Sequence, residues 1–181
     1  MFYWLLGILV LTEGASFFAK RRSFVFKKLF IGAIILVFGL LVFQALAQYQ
    51  VWSGNALSRY LIPPYQSIAY FLKYSFTHFF ENYLISLIAG ILFLWLADSL
   101  NNRHQKRFFE EGEPYLGALA VFVMGQPLWL VYFIAVMSFG VLGTIFLKFR
   151  AKTRNSRFPF YYFWIPVAII IMIIDKVWPR L

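Results

Sequence analysis

Apolar residues run along this chain in long intervals that no charge interrupts. Charge-free stretches extend from Leu29 to Ser58, Asn82 to Ala97, Pro114 to Leu147 and Phe158 to Ile174. About 17 to 25 apolar residues make one membrane-crossing helix, so several spans are predicted. Helix 1 is expected at residues 2–19 and helix 2 at residues 28–50. A third element is expected over 66–99, and only its last part is the true span. The earlier part, "QSIAYFLKYSFTHFFENY", is amphipathic and aromatic, with Lys73, His78 and Glu81 among its polar positions. It is expected to lie in the membrane interface, where Tyr and Phe anchor at headgroup level.

The uncharged run from Pro114 to Leu147 is 34 residues long, too long for a single helix. "MGQP" at 124–127 brings a Gly, a polar residue and a Pro together, which predicts a tight turn between two antiparallel helices. The last span is expected to start near Pro159, which suits a first turn, and to end before Asp175. Pro166 is expected to kink it.

Composition places these helices in a bilayer. With 62% hydrophobic, 22% aromatic and 13% charged residues, the chain has too little polar surface to coat a soluble globule of this size. Its 17 Lys and Arg against 7 Asp and Glu do not indicate a nucleic-acid partner. The basic residues sit between apolar runs, not on one polar face. The spacing instead reports topology. Lys20, Arg21, Arg22, Lys27 and Lys28 form one cluster, Arg103, Lys106 and Arg107 a second, and Lys148, Arg150, Lys152, Arg154 and Arg157 a third. The loop at 51–65 carries only Arg59. Six spans put all three clusters on one side, expected to be the cytoplasm, with both termini outside; Lys176 and Arg180 on the outer end run against this.

The predicted fold class is therefore all-α, a polytopic transmembrane bundle of about six spans plus an interfacial amphipathic helix. Two segments are expected: 1–65, with two spans and an outer loop, and 66–181, with the interfacial helix and a four-span region. The N-terminal "MFYWLLGILVLTEGASFFAKRRS" places its charge after its apolar stretch. Secretory signals do the reverse, so this reads as an uncleaved span in an inner, cytoplasmic membrane. There are no cysteines and only two histidines, His78 and His104, so no thiolate or histidine-rich metal site is implied. No phosphate loop, dinucleotide fingerprint or nucleophile elbow occurs, and no cofactor is expected.

Candidate chemistry concentrates in "KRFFEEGEPYLGALAVF", Lys106 to Phe122. From Pro114 to Met124 is only 11 residues, about 16 Å of helix against a hydrocarbon core of about 30 Å. To span, the helix is expected to recruit residues from about Phe108, or the bilayer to thin. Either brings Glu110, Glu111 and Glu113 to the membrane edge. One reading makes these acids a helix cap that balances Arg103, Lys106 and Arg107. The other makes them functional, since an ionisable group at membrane depth costs about 2.5 to 3.5 kcal/mol to insert. Asp98 and Glu13 are the acids placed to join Glu113 in such a site, while Glu81 and Asp175 are expected at the outer interface.

"EEGEPYLGALAVFVMG", "PLWLVYFIAVMSFGVLGTIFLK" and "RFPFYYFWIPVAIIIMI" resemble the C-terminal membrane core of type IV prepilin peptidases, membrane aspartyl proteases of the GxGD type. In that family a G-x-G-D-x-K-L stretch opens a helix that a Gly ends, and a Gly-containing helix returns. Gly112, Pro114, Leu116, Gly125, Gly140, Gly143, Pro159 and Phe160 match that order. Glu110 stands at the first Gly, Glu113 at the catalytic Asp and Tyr115 at the Lys. The resemblance implies a noncatalytic peptidase-like scaffold or partner of pilus or secretion machinery. Its enzymatic alternative is an aspartyl-type peptidase cutting a single-span, prepilin-like substrate, with Glu113 working beside Asp98 or Glu13. A third reading is a small transporter-like or lipid-binding protein using Glu13.

Overall fold

The computed structural model describes residues 1–18, 23–104, 109–151 and 163–177. Among these residues the regular secondary structure is all helical, with no strand. Helix α1 is Phe2–Phe18, α2 Ser23–Gly54, α3 Ile68–Ser75, α4 Glu81–Arg103, α5 Glu113–Met124, α6 Leu128–Ala151 and α7 Trp164–Val177. Three stretches are long and apolar enough to cross a membrane: Phe24–Gly54, Ile68–Arg103 and Leu128–Phe146.

Helix α2 is longer at both ends than the expected residues 28–50. Lys27 and Lys28 ride on its first turns with exposed side chains, and Gln44, Gln48 and Gln50 continue it to Gly54. Long unbranched side chains cost a helix little. The segment from Ile68 joins α4 through a single π turn at Phe76–Phe80, making one 36-residue rod. At 1.5 Å per residue the rod is about 54 Å long, well beyond a hydrocarbon core of about 30 Å. Its first part packs along the far end of α2. Trp52, Phe71, Tyr49 and Tyr74, closed by Ile62, form a small aromatic cluster there.

The turn at 124–127 falls where expected, with α5 ending at Met124 and α6 starting at Leu128. Gly125 adopts φ 67, ψ 170, a conformation essentially limited to glycine. Helix α5 does not lengthen toward Phe109. Gly112, at φ 87, stops it at Glu113, and Phe108 lies outside the described residues. At 12 residues, α5 is instead wrapped by the other helices. Every residue from Gly112 to Gly125 except Tyr115 is buried. One continuous core joins it to Leu5 and Leu9 of α1, Phe26, Phe30, Val37 and Leu41 of α2, and Trp164 and Ile165 of α7.

The last helix begins at Trp164 and continues through Asp175 to Val177. Pro166 therefore sits in the first turn, where a missing N–H costs nothing, and not at a mid-helix kink. Pro159 and Phe160 lie outside the described residues, as do Lys20, Arg21, Arg22, Lys106, Arg107, Lys152, Arg154 and Arg157 of the basic clusters. Outside the core, large apolar side chains face outward. Ile35 and Phe43 on α2, Ile88 and Trp95 on α4, and Ile134 and Leu142 on α6 are all exposed. Apolar surface of this extent on long helices is what a lipid environment covers.

Candidate functional site

Helix α4 presents a narrow stripe to α5, made by Ser86, Gly90, Phe93 and Ala97, all buried. Their spacing of three and four residues puts them on one helical face. The two helices run antiparallel. The Ser86 hydroxyl donates to the Phe122 carbonyl at 3.0 Å near the end of α5. At the other end, Asn101 brackets Phe109: its amide donates to the Phe109 carbonyl at 3.0 Å and its oxygen accepts the Phe109 N–H at 2.9 Å. Between them the backbones come close enough that a Cβ on Gly90 would lie 2.9 Å from the Ala118 carbonyl oxygen. A Cβ on Gly117 would lie 2.6 Å from Phe93 Cε1 and 3.0 Å from the Trp164 ring.

This tight approach sets the surroundings of Glu113, the first residue of α5. Its side chain is 2% exposed. Oε1 accepts the indole N–H of Trp164 at 2.9 Å, and Oε2 accepts the Glu110 backbone N–H at 2.8 Å. The Glu113 N–H in turn donates to the Glu110 carbonyl at 3.2 Å, a reciprocal closure like that of a capping box. Trp164 opens α7, so the starts of two helices meet at one carboxylate. Helix N-termini favour negative charge. Trp164 is itself fixed, because the buried Tyr132 hydroxyl of α6 donates to its carbonyl at 3.0 Å. Phe93 and Phe109 pack on its ring with centroids 5.3 and 6.4 Å away.

The carboxylate is thus enclosed by aromatic rings and held at both oxygens. It ties α5, α7 and the approach to α5 into one unit. The three acids selected from the sequence are distributed differently. Glu113 is in the core, Asp98 points from the exposed side of α4, and Glu13 is partly buried on α1 beside Ser16, whose hydroxyl donates to the Glu13 carbonyl at 2.7 Å. Among the described residues, Trp164 and Glu110 donate to the Glu113 carboxylate. Glu110 is half-buried next to it and Glu111 is exposed. Among the described residues no group of three His, Cys, Asp or Glu side chains is placed to hold a metal.

Trp164 was not singled out by the sequence pattern. The available signal was its chemistry: an indole is a donor only, and a buried one usually finds a partner. Between Pro114 and Ile174 the chain has no acid to supply one, whereas three carboxylates stand just before and at the start of α5. No family model matches this chain, and no curated protein or solved structure matches it.

Proposed function

We propose that this chain is a six-span inner-membrane protein, resembling prepilin peptidases, that works without catalysis as a scaffold or partner of pilus or secretion machinery. The observation that carries the noncatalytic reading is the engagement of Glu113. Aspartyl chemistry needs a second carboxyl that shares a proton with the first. Here both oxygens of Glu113 accept hydrogen bonds from the Trp164 indole and the Glu110 amide, while Asp98 is exposed. A carboxylate so held serves as a structural tie. The longer Glu side chain at the family's Asp position fits this role, since it reaches back to the preceding turn.

The six-span arrangement draws support from the alternating helix directions. Helices α4 and α5 are antiparallel, and α7 returns along α1, bringing the Lys176 ammonium 5.9 Å from the Phe2 ring. If successive helices reverse in this way throughout, the stretches after α1, α4 and α6, where the sequence puts the three basic clusters, share one side. The positive-inside rule places that side in the cytoplasm and both termini outside. Helices α1, α5 and α7, at 17, 12 and 14 residues, are short for a full crossing and rely on burial against the longer ones.

The test is cleavage in proteoliposomes containing a single-span, prepilin-like peptide. The wild-type chain and Glu113→Gln are both expected to leave the peptide intact. Cleavage by the wild type that Glu113→Gln abolishes would establish the enzymatic alternative instead. Because the chain has no cysteine, single cysteines at Ser58 and His104 report the orientation directly: a membrane-impermeant maleimide is expected to label the first from outside and the second only after permeabilisation.

A further inference from the structure

Between α1 and α2, beside Lys28, lies an open groove of about 410 Å³. Leu11 and Thr12 line one side, and Phe24, Lys28, Gly32 and Leu36 the other. Thr12 satisfies its own hydroxyl by donating to the Ile8 carbonyl at 2.7 Å, so the groove floor offers a ligand only apolar contact. Its polar group is at the rim, where the Lys28 ammonium stands 4.3 Å above the Phe24 ring. From Phe24 to Leu36 the groove follows 12 residue steps of α2, about 18 Å at 1.5 Å per residue, close to half the hydrocarbon thickness of about 30 Å. It therefore has the length of one leaflet, with a cation at the headgroup end. No acid occurs in the sequence between Glu13 and Glu81, and Glu13 does not line the groove, so nothing on α2 offsets the two lysines.

We propose that this groove binds an anionic phospholipid, with one acyl chain lying over Gly32 and the phosphate held by Lys28 with Lys27 beside it. An apolar slot one leaflet deep selects a lipid chain. Basic residues between helices at the cytoplasmic side select an anionic headgroup. The space over Gly32 is open, since a Cβ built there would have no atom within 4 Å. The inference depends on the α1–α2 geometry and is independent of whether Glu113 hydrolyses peptides.

The full-length chain, purified in mild detergent, is titrated with phosphatidylglycerol or phosphatidylcholine of identical chains and analysed by native mass spectrometry. Wild type is expected to retain phosphatidylglycerol preferentially. Gly32→Leu, which fills the slot without a clash, is expected to lose most bound lipid while keeping its helical content. The double change Lys27→Gln/Lys28→Gln, at exposed positions, is expected to weaken phosphatidylglycerol binding roughly 30-fold, at about fivefold per basic residue, and to leave phosphatidylcholine binding unchanged. Equal retention of both lipids by the wild type would overturn the proposal. So would a folded Gly32→Leu chain that binds phosphatidylglycerol as before. Should Gly32→Leu not fold, the lysine pair decides alone: an unaltered lipid preference in that variant refutes the site.

Discussion

Removing the indole donor tests the tie at the centre of the molecule. Trp164→Phe keeps an aromatic ring against Phe93 but deletes the N–H that lies 2.9 Å from Glu113 Oε1. Hydrogen bonds to charged groups contribute about 1.5 to 3 kcal/mol, whereas interhelical hydrogen bonds in membrane proteins average only about 0.6 kcal/mol. Burial places this bond toward the upper range, because Glu113 is 2% and Trp164 0% exposed, leaving no water to replace the donor. Loss of the larger ring system adds a packing cost, which the double-mutant cycle with Glu113→Leu, a side chain with no acceptor, removes. The expected coupling between the two positions is about 1 to 2 kcal/mol, read from reversible unfolding in mixed detergent and dodecyl sulfate micelles. A coupling below about 0.5 kcal/mol, within the additivity of independent sites, would refute the tie and leave Trp164 as packing alone.

Other changes probe the same unit from different sides. Gly90→Ala would set a Cβ 2.9 Å from the Ala118 carbonyl oxygen; because backbone cannot rotate away, the unfolding titration should show a net loss of about 1 to 3 kcal/mol from overpacking, although Ala favours an isolated helix. Tyr132→Phe removes the hydroxyl that donates to the Trp164 carbonyl and should cost about 1 kcal/mol in the same titration. Asn101→Ala frees both backbone groups of Phe109; hydrogen exchange at that amide should accelerate markedly while exchange in the middle of α5 stays slow.

Much of the helical order was legible because membrane helices advertise themselves by uninterrupted apolar length. The division at 124–127 was equally clear, since Gly125 and Pro127 act locally. What the pattern obscured was relative placement. Lys73, His78 and Glu81 mark the first part of the 66–99 element as polar, but not that Phe71, with Tyr74 beside it, has an apolar partner in Trp52 of α2. Such a partner lies far away in sequence and leaves no periodic trace. Glu113 stood out as an acid at a membrane edge, whereas its partner Trp164 was one of many aromatics in an apolar run. Likewise Gly90 resembled any packing glycine until Ala118 was brought against it.

The short length of α5 shows how such pairings resolve a local conflict. A helix of 12 residues covers about 18 Å, so its C-terminal end, if its start lies at the membrane edge, stops at a depth where unsatisfied backbone groups are costly. Extension at the N-terminus is blocked by the left-handed conformation of Gly112 and by the closure between Glu110 and Glu113. Bilayer thinning is unnecessary, because the end of α5 is not exposed to lipid. The Ser86 hydroxyl and the Gly125 N–H both donate to the Phe122 carbonyl, and the Trp129 N–H donates to the Gly125 carbonyl as α6 begins. Irregular backbone at membrane depth is tolerated where protein surrounds it, and α1, α2, α4, α6 and α7 supply that surround. The burial that removes the need for a full span also encloses Glu113 beyond the reach of bulk water, so the features that let α5 stay short are the same ones that turn its first carboxylate into a structural tie.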